Sequence, residues 1–74
     1  MRRYANRSGK SGVAAYELGD DSIVIEFTGG ARYLYTEDSA GAGHIARMRA
    51  LAAAGRGLAT YISRHVRERY ARKL

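Results

Sequence analysis

At 74 residues the chain has room for one small domain, and 13 Lys plus Arg against 7 Asp plus Glu leave it at +6. A chain of this length buries only about 60% of the surface its unfolded form exposes, which leaves little depth for an enclosed catalytic cavity and places function on the surface. The absence of Cys excludes a disulfide framework and any thiolate nucleophile or metal ligand and suits a reducing, cytoplasmic setting, while no apolar run approaches the ~20 residues of a membrane span.

Residues 1–12 place Arg2, Arg3, Arg7 and Lys10 among Asn6, Ser8, Gly9, Ser11 and Gly12, a composition that predicts a flexible basic arm. A single domain is expected over residues 13–74. Its first strand is predicted at Val13–Leu18, with an inward face that the pattern leaves ambiguous, and Gly19-Asp20-Asp21 supplies turn chemistry. The next strand, Ser22–Thr28, alternates Ile23, Ile25 and Phe27 with Val24, Glu26 and Thr28 and is rich in β-branched residues. It stops at Gly29-Gly30, and a third strand runs over Ala31–Thr36.

The turn length decides where Tyr33 and Tyr35 face, because a one-residue slip turns every side chain to the other side of a sheet. A two-residue turn at Gly29-Gly30 pairs Ile25 with Leu34 and exposes both tyrosines. A three-residue loop, Thr28-Gly29-Gly30, pairs Ile25 with Tyr33 and Ile23 with Tyr35 and turns both rings toward the core. The second register also sets Glu26 opposite Arg32, an opposite-charge pair, and is preferred on that ground.

After Thr36 the period becomes helical. Glu37 and Asp38 suit a helix start, Thr36 or Ser39 can cap it, and a helix is predicted over Ser39–Ala54 with Ile45, Met48, Leu51 and Ala52 on one face. Gly55 stops it. A second helix is predicted over Leu58–Ala71, with Leu58, Ile62, Val66 and Tyr70 in an i, i+4 row and Glu68 spaced to pair with Arg64 and Arg72. The expected fold is α+β, a three-stranded antiparallel meander with two C-terminal helices packed on it. Its core should comprise Ile23, Ile25, Phe27, Ile45, Met48, Leu51, Leu58, Ile62 and Val66, joined by Tyr33 and Tyr35 in the bulged register.

The string Tyr33-Leu34-Tyr35, behind an Ile-x-Ile-x-Phe strand and a Gly-Gly turn and ahead of a basic helical half containing Gly55-Arg56-Gly57-Leu58, resembles the KTSC domain family. That family takes its name from a domain at the C-terminus of some lysyl-tRNA synthetases and includes small stand-alone bacterial proteins. The resemblance runs from about Ser11 to Tyr70. It implies RNA binding, by way of the synthetase context, and transfers only Tyr33 and Tyr35, as signature positions. Leu34 stands where the pattern more often has a polar residue.

Chemistry-bearing patterns are sparse. His44 and His65 have no Asp, Glu, Cys or His four residues away on either side, so neither a metal site nor general-base chemistry is expected of them. Gly41-Ala42-Gly43-His44-Ile45-Ala46 matches G-x-G-x-x-A formally but follows an antiparallel hairpin and lacks the downstream acid, which excludes a dinucleotide site. No catalytic residue and no cofactor are expected. The dominant signal is arginine: 11 of the 13 cations are Arg, and residues 40–74 sum to +7. Arg forks bind phosphate oxygens in pairs and stack on bases. Arg47, Arg56, Arg64, Arg67, Arg72 and Lys73, with Tyr61 for stacking, are therefore the expected contacts to RNA or single-stranded nucleic acid. The competing expectation is a protein-interaction module or homodimer, invited by the lean core, the Ala-rich first helix and an open sheet edge.

Overall fold

The computed structural model of the chain describes residues 1–5 and 12–74. The architecture is α+β, with a five-stranded antiparallel sheet in place of the expected three strands. Its strands are β1 (Arg2–Arg3), β2 (Val13–Leu18), β3 (Ser22–Phe27), β4 (Arg32–Thr36) and β5 (Arg72–Lys73), adjacent in chain order. Between β4 and β5 lie α1 (Glu37–Ala40), α2 (Ala42–Ala54) and α3 (Leu58–Tyr61), the last running into a π-helical stretch, Ile62–Val66. Among the described residues no helix is long and apolar enough to cross a membrane.

The β3–β4 hairpin adopts the three-residue loop. Phe27 N–H donates to Ala31 O at 2.8 Å and Gly30 N–H returns to Phe27 O at 2.8 Å, with Gly30 at φ +96°, a conformation that favours glycine. Ile23 consequently faces Tyr35, Ile25 faces Tyr33, and Glu26 faces Arg32, whose Nε donates to Glu26 Oε1 at 2.7 Å. In β2 the register shifts between Val13 and Ala15, so Ala14 is an extra residue opposite β3. That bulge resolves the ambiguous pattern of β2: Val13 and Tyr16, three apart, both point to the helices and both are buried.

The helices cover only this face. Ile45, Met48, Ala52, Leu58, Ile62 and Val66 pack on Ile23, Ile25 and Tyr35, with Phe27, Tyr33 and Leu51 at the margin of the core. Among the described residues, the opposite face of the sheet, bearing Ala15, Val24, Glu26, Arg32 and Leu34, carries no helix.

The first predicted helix is divided in two. Thr36 caps α1 through a reciprocal pair, Thr36 Oγ1 accepting from Ser39 N–H at 3.1 Å and Ser39 Oγ accepting from Thr36 N–H at 3.0 Å. After one turn Gly41, at φ +102°, redirects the chain into α2. The second predicted helix ends at Val66, not Ala71. Arg67 takes φ +36° and its N–H donates to Ile62 O, five residues back, closing the π-helical stretch. The chain turns back here because Tyr70 and β5 have partners on β4 that a continued helix would forfeit. Glu68 is thereby taken off the helix, and its expected pairs with Arg64 and Arg72 are absent among the described residues.

The N-terminal segment also departs from expectation. Residues 6–11 of the expected flexible arm lie outside the described residues, but Arg2 and Arg3 pair with Tyr16 and Ala15 as an edge strand. Tyr4 is 2% exposed; its N–H donates to Ala14 O at 2.9 Å and its hydroxyl accepts from Leu58 N–H at 3.2 Å. A residue 54 positions away thus caps the first turn of α3, where Gly57 has no side chain to do so. Tyr4→Ala should cost about 3 kcal/mol or more in denaturant unfolding and Tyr4→Phe about 1 kcal/mol, by the ranges for aromatic truncation and for a single hydrogen bond. A loss below ~0.5 kcal/mol for the alanine variant would show that the ring merely rests on the surface.

Candidate nucleic-acid interface

The turn Gly55-Arg56-Gly57 folds α3 back along α2, so the start of α2 meets the end of α3. Three rings gather there. His44 Nδ1 and Tyr61 Oη are 2.5 Å apart, the Tyr61 and His65 rings lie 4.4 Å apart at 36°, and the two imidazoles are 5.7 Å apart. His65 is exposed, while His44 and Tyr61 are half-buried. The π-helical stretch contributes to this meeting, since its wider turn carries position 65 onto the ring of Tyr61 at the end of α3.

Arginines border the cluster. Arg47 follows His44 by one turn of α2, Arg64 directly precedes His65, and both arginines are exposed. Arg67 lies just beyond, its Nε donating to Ser63 O at 3.0 Å. Of the expected contacts, Tyr61 belongs to the cluster, Arg47 and Arg64 stand three and one residues from its histidines in the chain, and Arg67 follows the π-helical stretch. Arg56 is not among them: it sits exposed in the turn at the other end of α3. Arg72 and Lys73 belong to the edge strand β5, opposite Leu34 and Tyr33, with Lys73 Nζ 5.9 Å from the Tyr33 ring centre, within cation–π reach.

Sequence reasoning missed His44 and His65 as members of the cluster. Positions 21 residues apart on separate helices carry no local signal of proximity. Among the described residues no three His, Cys, Asp or Glu side chains are placed to hold a metal ion. It also missed the role of Arg49, whose guanidinium bonds the carbonyls of Gly19 and Ser22 and pins α2 to the β2–β3 turn. A second basic surface lies on the uncovered sheet face, an open depression of about 420 Å³ lined by Met1, Arg3, Ala14, Ala15, Glu26 and Arg32. Its charge is partly neutralised by the Glu26–Arg32 pair.

Tyr33 and Tyr35 serve the fold. Tyr35 is 1% exposed and donates to Arg67 O at 3.0 Å. Tyr70 rests on both rings, 4.6 Å from Tyr33 and 6.1 Å from Tyr35, and Phe27 meets Tyr33 edge-on at 5.7 Å. These contacts hold the C-terminal segment against β4 and so fix the backbone from which Arg67, Arg72 and Lys73 project. Comparison with known proteins gives no match to a family model, a curated protein or a solved structure.

Burial, with smaller contributions from the neighbouring Tyr33 and Tyr70, pushes the Tyr35 phenol up to about 12 from its ordinary value of 10. The unfolded chain releases this proton first, so stability is full below about pH 10 and falls as pH rises toward about 12. An absorbance titration should show one phenol ionising late and together with unfolding, and Tyr35→Phe should remove that late step while costing about 1 kcal/mol for the lost bond to Arg67 O. Retention of the late step in that variant would assign it to another tyrosine.

Proposed function

We propose that this domain binds RNA, or single-stranded nucleic acid more generally, without catalysing a reaction, through phosphate contacts centred on the α2–α3 hairpin. The observation that carries the reading is uncompensated charge. Residues 40–74 hold eight cations and one carboxylate, Glu68, and none of the eight makes an ion pair among the described residues. Arg47, Arg56, Arg64, Arg67, Arg69, Arg72 and Lys73 are all exposed. Clustered like charges repel one another, and a polyanion relieves that repulsion while releasing its own counterions.

The arginines outside this set support the same reading by contrast. Arg32 is spent on Glu26 and Arg49 on two backbone carbonyls, whereas the seven exposed cations above make no ion pair among the described residues. The resemblance to a domain appended to lysyl-tRNA synthetases points in the same direction. The alternative of a homodimer built on an open sheet edge has weaker support, because both edge strands are two residues long and carry two cations each, a pattern that discourages edge pairing. Phosphate contacts carry no base information, so weak sequence preference is expected.

Titrating labelled mixed-sequence RNA across about 50–200 mM salt should give a steep fall of log K with log salt, with a slope of about 0.7 per phosphate engaged on a single strand. Changing Arg64 and Arg67 together to Glu should weaken binding at least tenfold and flatten that slope, by the loss of their phosphate contacts. Unchanged affinity in that double variant would overturn the placement of the interface, and no binding at the lowest salt would overturn nucleic-acid binding itself.

A further inference from the structure

The ring cluster is more than a border to the arginines. The chain turns its tyrosine and phenylalanine rings inward: Tyr4, Tyr16 and Tyr35 are buried, and Phe27, Tyr33, Tyr61 and Tyr70 are packed against the core. Only at the junction of α2 and α3 do three planar rings converge on an exposed member, His65. We propose that the exposed His65 ring, seated on Tyr61 and backed by His44, is a stacking platform for one unpaired nucleobase, with Arg64 and Arg47 holding the adjoining phosphates. The inference rests on the nucleic-acid reading above and adds to it the state of the ligand, a base free of its pair.

The geometry suits that task. Tyr61 is held at both ends, by its place on α3 and by the bond between its hydroxyl and His44 Nδ1, so the ring beneath His65 is fixed before any ligand arrives. Preorganisation of this kind removes an ordering cost from binding. A base added on the solvent side of His65 extends the Tyr61–His65 stack by one layer. Every base has a π-face, so the platform accepts any of the four, while a base within a duplex has both faces covered by its neighbours. No carboxylate belongs to the cluster, and the charged groups bordering it, Arg47 and Arg64, attract the phosphates on either side of a stacked base. The arrangement therefore selects single strands through the rings and tolerates sequence through the arginines.

The test separates bases from phosphates. The whole protein is titrated with a labelled single-stranded RNA 12-mer, with an abasic 12-mer carrying the same phosphates, and with a blunt duplex of that length. The expected result is that the base-bearing strand binds about tenfold tighter than the abasic one, the order that a single stacked base supplies. His65→Ala should abolish that difference by weakening only the base-bearing strand, His65→Phe should keep it, and Arg64→Ala should weaken both strands alike. Because His65 is exposed, the alanine variant should keep the far-ultraviolet spectrum of the parent. Equal affinity for base-bearing and abasic strands, or a His65→Ala loss shared by both, overturns the platform and leaves phosphate binding standing. Failure of all three ligands to bind overturns both readings together.

Discussion

With Gly30 at φ +96°, the β3–β4 hairpin closes over three residues in place of two, and that odd count sends Tyr33 and Tyr35 to the side of the sheet that the helices cover. The other face would have received them from a two-residue turn, and the inner face would then have had Leu34 in their place. With Tyr35 inside, its hydroxyl reaches Arg67 O, and with Tyr33 beside it there is a two-ring surface for Tyr70. The end of the second helical region, the reversal at Arg67 and the pairing of β5 all depend on those two rings. A turn between two strands thus determines where a helix stops thirty-six residues later.

Local preference and tertiary contact compete openly in the C-terminal quarter of the chain. Arg64 to Ala71 reads as helix: it contains good helix formers, an i, i+4 carboxylate and no Gly or Pro. Surface ion pairs on a helix are worth only a few tenths of a kcal/mol each. Burial of an aromatic ring is worth more, together with β-bridges and a hydrogen bond from a buried phenol. The larger sum prevails, and the π-helical stretch accommodates the change of direction.

Legibility in the sequence follows the same division. The three central strands and the register of the second hairpin could be read because alternation, the Gly-Gly turn and the Glu26–Arg32 pairing agree, and the inward rows of both helical regions could be read from their spacing. Arg2–Arg3 and Arg72–Lys73 could not, since a two-residue strand has no period and its composition mimics a solvated tail. The Ala14 bulge hid the inward face of β2 by breaking alternation at the one position where alternation was sought. Of the interface, the basic composition was visible and the grouping was not. Arg64 adjoins His65 while Arg56 sits at the other end of α3, and His44 and His65 meet only because the turn at residues 55–57 folds two helices together.

The two short basic strands also carry a consequence for how the chain is made. β4 acquires its outer neighbour only when Arg72 and Lys73 have been synthesised, after all the helical residues. Until they pair, the backbone of Tyr33 and Leu34 is an open edge able to accept a strand from another chain. Arg72 and Lys73 close it. A chain lacking Arg72 and Lys73 would not simply lose two charges; it would keep an unpaired strand edge at Tyr33 and Leu34, a species prone to assembling with its own kind.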